Sequence, residues 1–277
     1  MVKKKAALTI LSEVFLLLAT AILWIPIYYF FIGAFKTRTD IVNFPLAIKP
    51  SMITLDNFVY TFTKMKFFSA LKNTGIITVV ALVAIVVFAS MAGFAIARID
   101  RKLFKFIYSA LITLMVIPFI GTVIPLVVQS VEIKTYNTLL GGILIQVGWN
   151  LPFAVFLYTG FMRGIPKEME ESAYIDGCSM YRMYAQIFLP LLAPVTATCL
   201  IRCGIGIWND YLVSKSILND AVTPTLMVTI HSFFGERRTE YGYAFAGIIA
   251  ASLPIVMTFV SFQKYFIKGL VAGAVKG

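Results

Sequence analysis

The sequence predicts an all-α integral membrane protein with six transmembrane helices and a cytoplasmic helix–turn–helix loop between spans four and five. Three observations carry that expectation. Of 277 residues, 60% are hydrophobic and only 13% charged, about half the charge of an average soluble domain, and the mean hydropathy is +0.88. The uncharged residues gather into six runs, each long enough to cross about 30 Å of hydrocarbon at about 1.5 Å per residue. The segment between the fourth and fifth runs carries the start and stop residues of two short helices. A water-soluble domain could not cover so much apolar side chain with polar surface.

The uncharged runs are 14–35, 73–97, 106–131, 135–162, 183–201 (continuing past Arg202 to 209) and 241–263. The first has the look of a secretory signal, with Lys3–Lys5 before it and Ala19-Thr20-Ala21 within it. Its apolar stretch continues through Trp24 to Phe35, beyond the 7–15 residues of a signal core, so it reads as an uncleaved first span. A seventh run, 221–235, is short and polar, with Pro224 near its start, and reads as an extramembrane or re-entrant segment. The domain organisation is then a cytoplasmic N-terminus at 1–13, one six-span domain at 14–266 with the helix–turn–helix loop at 163–187, and a cytoplasmic tail at 267–277.

Six spans place both termini on one side. With that side cytoplasmic, the inner segments hold 13 Lys/Arg in 55 residues and the outer ones 10 in 71, which favours this orientation under the positive-inside rule. The cluster Arg98, Arg101, Lys102, Lys105 supplies much of the bias. The net charge of +11 is thereby assigned to a membrane surface and not to nucleic acid. Cys178, Cys199 and Cys203 contain no Cys-x-x-Cys and predict neither a disulfide framework nor a zinc site. Cys199 and Cys203, one turn apart, read as packing residues, and His231 as a solvated loop residue.

In the loop after span four, Pro166 suits the first turn of a helix because its missing N–H is unpaired there in any case. Glu168, Glu170 and Glu171 follow at the positive end of the helix dipole. Gly177 can close the helix in a left-handed conformation. A second short helix is expected over 179–187, before Pro190.

The pattern Glu171-Ser-Ala173, three residues, Gly177, nine residues, Ile187-x-Leu189-Pro190 resembles the EAA loop of ATP-binding-cassette importer permeases. Glu170 and the Ile175-Asp176-Gly177 step resemble the carbohydrate-uptake group in particular, the relatives of the maltose permease, and most closely the second permease of two-permease systems. Ser172 stands where the first alanine of that pattern is usual. The likeness extends to Trp208-Asn209-Asp210, to Phe262-Gln-Lys-Tyr-Phe266, to residues 50–60 and to the end of the chain. The resemblance implies that Glu170, Glu171, Ala173, Asp176, Gly177, Ile187, Leu189 and Pro190 form a coupling surface docked in a cleft of a partner ATPase. It also implies that the tail, with Gly273, Ala274, Val275, Lys276 and Gly277, reaches between two ATPase subunits. The implied assembly contains a second, homologous permease, two ATP-binding-cassette ATPase subunits and an extracytoplasmic solute-binding protein, in a bacterial or archaeal-type cytoplasmic membrane. Its substrate is a sugar or oligosaccharide.

The chain itself has no glycine followed by lysine, hence no Walker A loop, and no His-Glu-x-x-His or Gly-x-Ser-x-Gly. No cofactor is expected on this chain, and ATP and Mg belong to partner subunits. Along span four, Gln146, Trp149 and Asn150 precede the helix breaker Pro152, and polar groups at bilayer depth line cavities or glue helices together. Amides match sugar hydroxyls in donor–acceptor capacity and aromatic faces pack on sugar rings, so the three are candidates for the substrate path; Gln129 is a weaker one. Arg202, an ionisable residue inside a span, has no counterpart in the resemblance. An importer of glycerol phosphate or a polyol-like solute is the alternative within the class. A proton-coupled secondary transporter, the alternative outside it, needs carboxylates within its spans, and the six runs contain none.

Overall fold

Helices account for the repetitive structure among the described residues, as the apolar runs predict. The computed structural model describes residues 2–218, 222–235 and 239–274 of the chain. In order, the helices are α1 (Val2–Gly33), α2 (Arg38–Asn43), α3 (Asp56–Thr63), α4 (Phe67–Arg98), α5 (Lys102–Leu114), α6 (Phe119–Glu132) and α7 (Leu139–Arg163). They continue with α8 (Glu168–Ile175), α9 (Met180–Met183), a π-helical turn Tyr184–Phe188, α10 (Leu189–Leu191), α11 (Ala193–Trp208), α12 (Leu212–Ile217), α13 (Leu226–His231) and α14 (Tyr241–Ala274).

Among the described residues, four helices are individually long and apolar enough to cross a membrane: Thr9–Gly33 within α1, α4, α7, and Tyr241–Thr258 within α14. The other two expected spans are not single rods. The 106–131 run, read from the sequence as one span, divides into α5 and α6 with a bend of 108°. Pro118 is the cause, since the ring disfavours helical geometry in the residue before it, and the chain passes from Ile117 into an extended Pro118 that begins α6. The 183–209 run bends by 70° at Leu192, between Pro190 and Pro194, each of which removes a backbone donor. The segment around 221–235 contains only the six-residue α13 among its described residues, too short to span.

The chain forms two compact units. The first comprises Met1–Phe68 and Thr229–Leu253. In it, Asn57 Nδ2 donates to the carbonyls of Ala34 and Lys36 at 2.8 Å each, tying the end of α1 to α3. Phe245 of α14 packs edge-on against Phe30 and Tyr29. Lys36 is buried, with Nζ donating to Phe44 O at 3.0 Å. Burial holds its ammonium below the ordinary lysine value, against a smaller opposing pull from Asp40.

The second unit comprises Ser69–Val228 and Pro254–Gly277. Its core joins Ala81, Ile85 and Ala89 of α4 with Ala154, Val155 and Tyr158 of α7 and with Cys199 and Cys203 of α11. Small residues on α4 permit the close approach. A Cβ on Gly93 would stand 2.8 Å from Tyr158 Cβ and 3.1 Å from Thr159 N. Tyr158 then donates to Thr196 Oγ1 of α11 at 2.8 Å. At the start of α4, Asn73 Nδ2 donates to Pro224 O and Thr74 Oγ1 accepts from Leu226 N.

Candidate functional site

The segment after α7 folds as an elbow of two short helices. α8 begins after Pro166 and Lys167, with Glu168, Glu170 and Glu171 in its first turn, where negative charge stabilises the exposed N–H groups. It ends as its glycine predicts. Gly177 has φ +73°, Cys178 N donates to Ala173 O at 2.9 Å, and Gly177 N donates to Tyr174 O at 3.0 Å. These are the two bonds of a Schellman cap.

The expected second helix over 179–187 is only partly α-helical. Ser179 caps it through Oγ, which accepts from Arg182 N at 3.3 Å. The α-helix proper covers Met180–Met183 and passes into the π-helical turn, where Leu189 N donates to Tyr184 O. Such insertions re-aim side chains and often mark functional sites.

The elbow presents two different faces. Glu171, Asp176, Gly177, Leu189 and Pro190 are exposed, Ile187 is half-buried and Ala173 is buried against the core. Ile175 and Tyr181 are each 86% exposed, with Tyr174 beside them. Acidic groups and large apolar side chains therefore share one outward surface. Glu170 is turned the other way, with its carboxylate 3.7 Å from Arg98 Nε.

Arg98, read from the sequence only as part of an orienting cluster, is the last residue of α4 and its side chain is 2% exposed. One terminal nitrogen donates to Met162 O at 2.9 Å and Ile165 O at 3.0 Å, capping carbonyls at the end of α7. Its guanidinium lies 4.8 Å from the Phe188 ring centre. The available signal was spacing: Ser90, Phe94 and Arg98 recur every four residues and so share one face of α4.

The structure separates the three span-four candidates. Gln146 and Asn150 are buried on one face of α7, and Asn150 Nδ2 donates to Gln146 O at 2.8 Å. Trp149 lies to one side of them, packed edge-on against Phe119 at 4.6 Å. It lines a cleft of about 390 Å³ between α5, α6 and α7 that also takes in Thr122, Gln129, Ser130 and Thr135. Arg202 is exposed, with its guanidinium 5.2 Å from the Phe153 ring centre. Asp210 accepts from Val213 N, Ser214 N and Ser214 Oγ and so opens α12. Of the tail, Gly273 and Ala274 end α14, while Val275, Lys276 and Gly277 lie outside the described residues. No group of three or more metal-ligating side chains occurs among the described residues.

Bent apolar helices around a small-residue core, with an acidic elbow displayed between two of them, define a helical integral membrane protein with four to six candidate spans among the described residues. The chain belongs to the family of binding-protein-dependent transport system inner membrane components, whose pattern matches residues 85–271. It is 35% identical over 263 residues to the probable starch degradation products transport system permease protein AmyC of Thermoanaerobacterium thermosulfurigenes, covering 95% of each chain. It is 38% identical over 256 residues to the melibiose/raffinose/stachyose import permease protein MelC of Bacillus subtilis, covering 92% of each. The fold matches a chain from the crystal structure of a bacterial ABC transporter involved in the import of the acidic polysaccharide alginate. That match has a TM-score of 0.79 at 19% identity and covers 93% of this chain and 96% of the other.

Proposed function

We propose that this chain is one permease subunit of an ATP-driven, binding-protein-dependent importer of sugars or oligosaccharides, working by alternating access. The observation that carries this is the elbow, which displays acidic and apolar side chains outward on a family member whose relatives bear sugar-import names. Two membrane arms continue directly from it, α7 on one side and α11 on the other. A partner ATPase gripping Glu171, Asp176 and the exposed Tyr174, Ile175 and Tyr181 thus acts on both arms. The Gly177 cap fixes the angle between the elbow helices. Glu170 contributes from inside, by holding the elbow against Arg98.

In this reading the chain crosses the cytoplasmic membrane six times, with the two bent helix pairs serving as broken spans and both termini in the cytoplasm. ATP and Mg are held by two ATPase subunits, a second permease completes the pathway, and a solute-binding protein delivers the sugar outside. Sugar passes along α7. Trp149, on the cleft with Gln129 and Thr122, offers a ring face to a sugar ring, and Gln146 and Asn150 offer amide donors and acceptors. Driving force reaches them because each nucleotide state favours a different arrangement of the arms.

The test is capture of the intact complex through a tag on this chain. The expected result is co-purification of a second permease and an ATP-binding-cassette ATPase. Hydrolysis by that complex should be stimulated by the binding protein loaded with a sugar from a panel of oligosaccharides. A stable complex without an ATPase, or stimulation by none of the sugars, contradicts the proposal.

A further inference from the structure

The elbow is continuous along the chain with α7 and α11, but it also holds α4, which is not joined to it in sequence. The contact is a stripe one helix face wide. Ser90 Oγ lies 2.7 Å from the Tyr184 hydroxyl, and the Phe94 ring is 5.4 Å from Tyr184 and 5.1 Å from Phe188. Arg98 closes the stripe on Phe188, Glu170, the Met162 carbonyl in the last turn of α7 and the Ile165 carbonyl just beyond it. Its partners belong to α8, to the π-helical turn and to the end of α7. The neighbouring cations Arg101, Lys102 and Lys105 are exposed.

Burying a guanidinium carries a desolvation penalty that an apolar side chain of similar volume avoids. Stability alone therefore does not explain a charge at this place. This guanidinium does what an apolar residue cannot: one terminal nitrogen holds the Met162 and Ile165 carbonyls, while the planar group stacks near Phe188 and faces the Glu170 carboxylate. The π-helical turn supplies both aromatic partners, Tyr184 and Phe188, to the same face of α4.

We propose that Arg98 is a positioning residue of the coupling apparatus, locking α4 to the elbow so that displacement of the elbow moves α4 together with α7 and α11. The proposal rests on the reading that a partner ATPase engages the elbow. α4 is one continuous helix of 32 residues, and its other end is bonded through Asn73 and Thr74 to Pro224 and Leu226. A movement imposed at Arg98 is carried along a rigid rod to the 222–228 segment. The elbow thereby acts on three helices, and the third by side-chain contact alone.

The test uses the whole complex in proteoliposomes and reads sugar transported per ATP hydrolysed. R98Q should lower that ratio at least about fivefold, the scale of a typical coupling between sites. R98K, which keeps the charge but loses the planar guanidinium packed on Phe188, should recover only part of it. E170Q should lower it less than R98Q, and R98Q/E170Q should be no worse than R98Q, because both act through one contact. A residue with only a structural role changes the amount of assembled complex and leaves the ratio untouched. A native ratio in R98Q overturns the proposal. Should R98Q fail to assemble, E170Q leaves both carbonyl bonds of Arg98 in place, and a native ratio there overturns it equally. Wild-type uptake without ATP hydrolysis would instead refute the underlying reading of the elbow.

Discussion

Replacing Gly177 tests the elbow where its geometry is least ambiguous. The residue has φ +73°, and a Cβ built there meets nothing within 4 Å. Any cost of substitution is therefore conformational and not a clash. An L-residue with a Cβ costs about 1–2 kcal/mol in this region, whereas asparagine visits it readily. α8 has eight residues, with Ala173 its buried member, so little packing offsets the loss of its cap. The open fraction of the cap should rise about 5- to 30-fold in Gly177→Ala and far less in Gly177→Asn. Amide exchange at Cys178, whose N–H is bonded to Ala173 O, reads that fraction directly in the assembled complex without nucleotide. Sugar uptake should fall in the same order, with alanine below asparagine below glycine. Equal protection of Cys178 in the alanine and asparagine variants would refute the reasoning, because it would show that the left-handed backbone is not what holds the turn.

Gly93→Val should force α4 away from Tyr158 and Thr159 at a cost of about 1–3 kcal/mol and lower the melting temperature of the complex. Gly75→Val on the same helix, where a Cβ meets nothing within 4 Å, is the matched control and should lower it far less. Replacing Gln146 and Asn150 together with leucine should impair sugar flux while the complex still hydrolyses ATP measurably; unchanged flux assigns both amides to helix packing. Deleting residues 272–277 should lower ATP hydrolysis stimulated by the loaded binding protein at matched subunit stoichiometry, and equal stimulation removes the tail from the coupling contact.

Much of this was legible in the sequence because the bilayer imposes a simple rule on length and polarity. The apolar runs locate α1, α4, α7 and α14, and Gly177 marks its own turn because few other residues tolerate that backbone. The breaks in the remaining runs were less visible. Hydropathy reports how long a run is, while the bends come from Pro118 and from the Pro190/Pro194 pair, which hydropathy counts as ordinary neutral residues. The elbow residues were found as a pattern, but a pattern does not say which way a side chain points. Glu170 and Glu171 are adjacent and chemically alike, yet one faces Arg98 and the other faces outward. Arg98 was hidden for the same reason. As one of four neighbouring cations it looks like a marker of orientation; its spacing from Ser90 and Phe94 puts it on one face of α4, but the approach of Met162, Ile165, Phe188 and Glu170 from distant parts of the chain is what shows its partners.

The central claim is that sugar movement through this chain is driven by ATP hydrolysed on another subunit. It is tested most directly by the initial rate of labelled oligosaccharide uptake into proteoliposomes holding the purified complex. Two conditions are compared, one with ATP and Mg at the ATPase face and loaded binding protein at the other, and one with a proton gradient and no nucleotide. Uptake in the first condition alone, abolished when the ATPase subunits are omitted, is the predicted result. Uptake by this permease under the proton gradient, with no ATPase present, would contradict the account.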